Sequence, residues 1–185
     1  MNKLVATLLI AAAATVSVPA YAQASGTVVV NGTVAPKCSA VAPINGTIAL
    51  GELAKDDGTV DRAFAKATGG LSTTFTVRCN GSNPLLSVEA RPLVNAAVTT
   101  AADGYTNKVH YTAKLAAMGA KGSSTSISDL SLNNGATTGR IGDRLAAVAN
   151  NVSLTIADGA TESSTAILEA GTYSGTVDIT ITAAL

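Results

Sequence analysis

The sequence predicts an all-β protein, a sandwich or a barrel, on three observations. Apolar and polar residues alternate at period two through every convincing segment. Valine and threonine dominate those segments, as strands prefer. Between them sit turn pairs that accept positive φ: Asn45-Gly46, Asp57-Gly58, Asn80-Gly81, Asp103-Gly104, Asn134-Gly135 and Asp158-Gly159.

Taken in order, the chain opens on a secretory signal over residues 1–22. Lys3 supplies the positive end, an apolar run follows, and Ala20-Tyr21-Ala22 is a small-x-small cleavage motif, with cleavage after Ala24 as the alternative. The run is too short for a membrane span, so the sequence reads as exported and soluble. Residues 26–34 then alternate, with Gly26, Val28, Val30, Gly32 and Val34 on one face and Thr27, Asn31 and Thr33 around Val29 on the other. This is a half-buried strand close to a terminus that would otherwise fray. It must pair within its own domain or be given to another subunit.

Further strands are expected at Ile48 and Leu50, at Phe75, Val77 and Cys79, at Leu86, Val88 and Ala90, and at Val109, Tyr111, Ala113 and Leu115. Val152, Leu154 and Ile156 form another, and Val177, Ile179 and Ile181 the last. Residues 61–68 and 142–150 hint at a helical turn, and the first could equally be loop. The Ala/Thr/Ser/Gly-biased stretch over residues 96–140 reads, around its one strand, as long surface loops. His110, Thr112 and Lys114 alternate with the apolar positions of that strand and are expected to face solvent.

Composition removes several function classes. Lys+Arg 12 and Asp+Glu 12 balance, and loss of Lys3 with the signal leaves one net negative charge, so no basic field exists for nucleic acid or anionic lipid. Aromatics make up 3% with no Trp, which argues against stacking platforms for sugars or nucleotides. The two cysteines of an exported chain most simply form one disulfide, Cys38–Cys79, and two cysteines with no nearby histidine cannot fill a four-ligand zinc site. A Cys-x-x-Cys redox pair, a Gly-x-Ser-x-Gly elbow and an EF-hand spacing around Asp56, Asp57 and Asp61 are all missing. His110 is the sole histidine, so a hydrolytic triad has one residue to build on; neither catalytic residues nor metal ligands nor a cofactor are expected.

Three blocks carry a family resemblance. Residues 26–34 leading to Cys38 resemble a donor strand. Phe75-Thr-Val-Arg-Cys79-Asn-Gly-Ser-Asn-Pro84 is similar to a second-cysteine strand and turn, and Ala170-Gly-Thr-Tyr173-Ser-Gly-Thr-Val-Asp-Ile-Thr-Ile181 to a closing strand. Together with Ile48-Ala-Leu50-Gly51-Glu-Leu53, they resemble the archaic, spore coat protein U-like pilins of the chaperone–usher pathway. Residues 96–140 match nothing in that pattern, and the tail Thr182-Ala-Ala-Leu185 lacks the aromatic ending common among these pilins.

The resemblance implies an incomplete immunoglobulin-like β-sandwich completed by a donated N-terminal strand. It implies a signal peptide at residues 1–22, a donor extension at 23–37 and a pilin domain at 38–185. Val28, Val30 and Val34 would fill pockets of the neighbour, with Gly32 at a shallow position, while Val177, Ile179, Ile181 and Leu185 would line the acceptor groove and meet the chaperone. The implied partners are a periplasmic pilus chaperone, an outer-membrane usher and neighbouring subunits, in a fimbria serving adhesion and biofilm formation. The rival readings are a non-polymerising coat or envelope protein whose first strand folds back, and a minor adaptor or tip adhesin. The triplets starting at Asn31, Asn45, Asn80 and Asn151 match the glycosylation pattern, and are read as turn and strand chemistry.

Overall fold

The computed structural model describes residues 27–184. The expected signal, Gly26 and Leu185 lie outside the described residues. Residues 35–184 belong to one compact unit; residues 27–34 fall in a separate one. Among the described residues all regular structure is β, in twelve strands. These are β1 (Cys38–Ala40), β2 (Ser72–Phe75), β3 (Val77–Cys79), β4 (Leu85–Ala90), β5 (Leu93–Val94), β6 (Tyr105–Thr106), β7 (Lys108–Met118), β8 (Ser124–Leu130), β9 (Thr137–Arg140), β10 (Val152–Ala160), β11 (Ile167–Leu168) and β12 (Val177–Thr182).

The main sheet runs β2-β10-β7, and the far edge of β7 is shared by β5 and β8. A second sheet runs β12-β4-β9. Both are antiparallel, so alternate residues of each strand point into one shared core. Leu86, Val88 and Ala90 of β4, Val109, Tyr111, Ala113, Leu115 and Ala117 of β7, and Val152, Leu154 and Ile156 of β10 are all buried there. These are the apolar faces that alternation predicted.

Two buried polar side chains join what the ladders leave open. Asp129 of β8 is 1% exposed; its carboxylate accepts Ala90 N at 2.8 Å and the Thr137 hydroxyl at 2.7 Å, tying the two sheets together. Asn151, also buried, accepts Val77 N at 2.9 Å and donates to Val77 O at 2.7 Å and Ala146 O at 2.6 Å. Its amide thus serves β3 as a neighbouring backbone would. An asparagine so enclosed is not an exposed loop acceptor.

Several expectations are corrected. Residues 142–150 form no helix, and 61–68, which the sequence allows equally as loop, is a loop whose Asp61 carboxylate accepts Ala63 N and Ala65 N, with buried Phe64 at φ 48°. Residues 96–140 are not mainly loops, since they contain β6, β7, β8 and β9. The small, hydroxyl-rich residues of β8 and β9 occupy a solvated sheet face, where strand pairing needs little apolar content. His110 is 6% exposed rather than solvated, beside the register shift between Ala157 and Ala160, and both ring nitrogens lack a hydrogen-bond partner among the described residues.

Candidate functional site: an open groove beside the last strand

The disulfide expected from the cysteine count is present: Cys38 and Cys79 are register partners of β1 and β3 and are bonded to each other. It closes a loop of 41 residues that contains the first wall of the groove.

That wall is residues 46–54. Alternation predicted a strand at Ile48 and Leu50, but only isolated bridges form, Ala49 with Thr68 and Ala54 with Val60. Gly51, at φ +70°, is the reason: a β-carbon there would collide with the Lys66 carbonyl, and this backbone turn interrupts regular pairing. Ile48 and Leu50 are left half-buried against the core, and Leu53 is buried.

The opposite wall is residues 168–177, continuing into β12. It is held from behind. Val94 and Ser174 exchange backbone hydrogen bonds, and buried Asn95 donates from Nδ2 to Ala170 O at 3.1 Å. The Tyr173 hydroxyl lies 3.1 Å from Thr106 O and 2.9 Å from Glu169 O. Gly175 passes so close to the Arg91 and Pro92 carbonyls that a side chain would displace them.

Between the walls lies a groove in two connected parts that share Ile48, Leu50, Leu93 and Gly175. The wider part, about 720 Å³, separates residues 47–54 from 168–175. The narrower, about 240 Å³, has Tyr111, Leu154 and Ile156 in its lining and reaches Val177. The two walls therefore run in opposite directions, with core side chains between them.

β12 pairs β4 along one edge, Val177 with Ala90 through Thr182 with Leu85. Among the described strands none pairs with its other edge. Val177, Ile179 and Ile181 share a face, as alternation predicted, yet each is only half-buried, whereas their counterparts on β4 are buried. Of the three, Val177 lines the groove and the others continue its line along the edge strand.

Residues 27–34 form no strand in the structure. Val28 is 87% and Val30 89% exposed, Val34 and Val29 are also exposed, and no atom approaches the Gly32 position.

Sequence reasoning missed the groove's floor. Tyr111, Leu154 and Ile156 were legible only as inward positions of strands, which look alike whether or not a layer covers them, and Leu93 belonged to no expected strand. Tyr111 donates to Thr176 O at 3.1 Å, and burial, reinforced by the charge of Asp129 against the Arg91 backbone donor, pushes its phenol from the ordinary 10 up to about 12. The neutral phenol is thus favoured by folding. Its contribution to stability is complete below about pH 10 and is lost as the pH rises toward about 12. Unfolding free energies measured across that window should fall in the wild type, and Tyr111→Phe should fall less steeply. Tyrosinate absorbance should show the Tyr111 phenol ionising late in the folded protein, and burial raises Tyr173 as well.

Among the described residues no group of three or more His, Cys, Asp or Glu side chains is placed to hold a metal ion. No protein-family model, curated protein or solved structure matches this chain.

Proposed function

We propose that this chain is a structural subunit of a surface fibre, an incomplete immunoglobulin-like sandwich that accepts an extended strand from a second copy of itself. The observation that carries the reading is the edge of β12, free among the described strands, beside half-buried Val177, Ile179 and Ile181, with a groove floored by Leu93, Tyr111, Leu154 and Ile156 leading away from it. An uncovered edge over core side chains favours strand addition, in which backbone hydrogen bonds give affinity and alternate side chains set register.

The same chain carries a segment suited to that edge. Val28, Val30 and Val34 lie two or four residues apart, are exposed, and belong to no ladder among the described residues. The contact is head-to-tail, so it propagates into an open filament and does not close. Export through the signal, shielding of the groove by a periplasmic chaperone, and handover at an outer-membrane usher complete the pathway in this reading. The fibre then serves attachment and biofilm formation, without catalysis.

A synthetic peptide of residues 26–34 tests the groove directly. It should bind the subunit and slow the exchange of the outward amides of β12. Burying three valines at about 1.5 kcal/mol each is worth roughly 5 kcal/mol, so replacing all three by serine should weaken capture by about a thousandfold or more. Equal binding of the two peptides, or unchanged exchange in β12, would remove the reading.

A further inference from the structure

The root of the donated segment is gripped by one residue. Asn80 Oδ1 accepts Lys37 N at 2.6 Å, Asn80 Nδ2 donates to Ala35 O at 2.9 Å, and Asn80 N donates to Lys37 O at 3.1 Å. The next residue, Cys38, pairs with Cys79 and is covalently bonded to it. Residues 35–38 are therefore fastened to residues 79–80 by three hydrogen bonds and a disulfide. The compact unit begins at Ala35, directly after Val34.

We propose that Asn80 is a positioning residue that fixes the joint between consecutive subunits, an inference that rests on the strand-donation reading. A joint bends through residues whose φ and ψ are free. With the grip in place, no unfastened residue separates Ala35 from Val34, the last apolar residue of the donated strand. Without the Asn80 side chain, Ala35 and Pro36 are released, a reach of roughly 7 Å in an extended chain, while the backbone bond from residue 80 still holds the Lys37 carbonyl.

The residue type fits the task. One primary amide supplies both an acceptor for an N–H and a donor for a carbonyl, which is what Lys37 and Ala35 present. Aspartate keeps only the acceptor, and alanine keeps neither. Pro36 adds stiffness between the two gripped residues by fixing its own φ and disfavouring helical geometry at Ala35.

Full-length wild type, Asn80→Ala and Asn80→Asp subunits assembled into fibres test this. Electron microscopy should show the angular spread between neighbouring subunits widening by about twofold in Asn80→Ala, with Asn80→Asp between it and wild type. The Lys37 amide should exchange about tenfold faster in Asn80→Ala monomers and stay protected in Asn80→Asp. Capture of the free 26–34 peptide, which bypasses Ala35 to Lys37, should be unchanged in both.

Joints of unchanged spread in Asn80→Ala fibres overturn the proposal while leaving strand donation intact. A parallel fall in monomer stability and peptide capture overturns it too, because that pattern marks a merely structural residue. If wild-type subunits form no fibres, strand donation fails, and this inference fails with it.

Discussion

Deleting residues 23–34 should abolish the proposed fibre growth and leave a folded subunit. The compact unit begins at Ala35, and its first residues are held by Asn80 and the Cys38–Cys79 bond, so the cut falls where the fold does not depend on what precedes it. No ladder among the described residues uses residues 27–34. The unfolding free energy of the truncated monomer should accordingly stay within about 0.5 kcal/mol of wild type, the range of changes remote from the core.

Assembly is another matter. On the proposed reading the truncated chain keeps its groove and the edge of β12, so it should accept a strand but have none to give. Mixed with wild type, it should terminate fibres, shortening them in proportion to its share. Electron microscopy and detergent-resistant ladders on unheated gels measure this. Long, detergent-resistant polymers from the truncated chain alone would show that residues 23–34 are not the donated segment.

The second large effect concerns the disulfide. Replacing Cys38 and Cys79 together by serine opens a loop of 41 residues, and the chain-entropy relation puts the loss at about 4 kcal/mol. That is a large share of the roughly 5–15 kcal/mol by which folded domains are stable. The loss falls on a particular place. Residues 46–54, the first wall, lie inside the loop and are otherwise held by isolated bridges at Ala49 and Ala54 and by the packing of Ile48, Leu50 and Leu53.

Denaturant unfolding should thus show a lower midpoint for the double serine variant, with peptide capture lost before the main sheet melts. A midpoint unchanged by the double substitution would mean that the wall is secured by its packing alone. The same variant separates the two ends of the site, since β12 lies outside the loop and keeps its pairing with β4.

Much of the framework was legible without coordinates. Alternation correctly picked the inward residues of β4, β7 and β10 and the shared face of Val177, Ile179 and Ile181. Cysteine count alone pointed to the disulfide. The polar stitching was illegible for a physical reason: Asp129 and Asn151 occupy positions that alternation treats as ordinary polar sites, and only the approach of Ala90 and Val77 makes them core residues. His110 failed in the same way, because period two names a face but not what covers it. Residues 96–140 were misjudged because serine, threonine and glycine suit a solvated strand as well as a loop.

The sequence by itself determined the all-β class, the strand faces, the cross-link and a valine-rich segment ahead of Cys38. These follow from local rules, the two-residue repeat of a strand and the chemistry of paired thiols. Tertiary structure alone decided that β12 is an edge among the described strands, that Gly51 breaks the facing wall, and that Leu93, Tyr111, Leu154 and Ile156 lie beneath the opening. Whether an apolar face is covered depends on which strands become neighbours. That is settled by pairing between residues far apart in the chain, to which period-two alternation is blind.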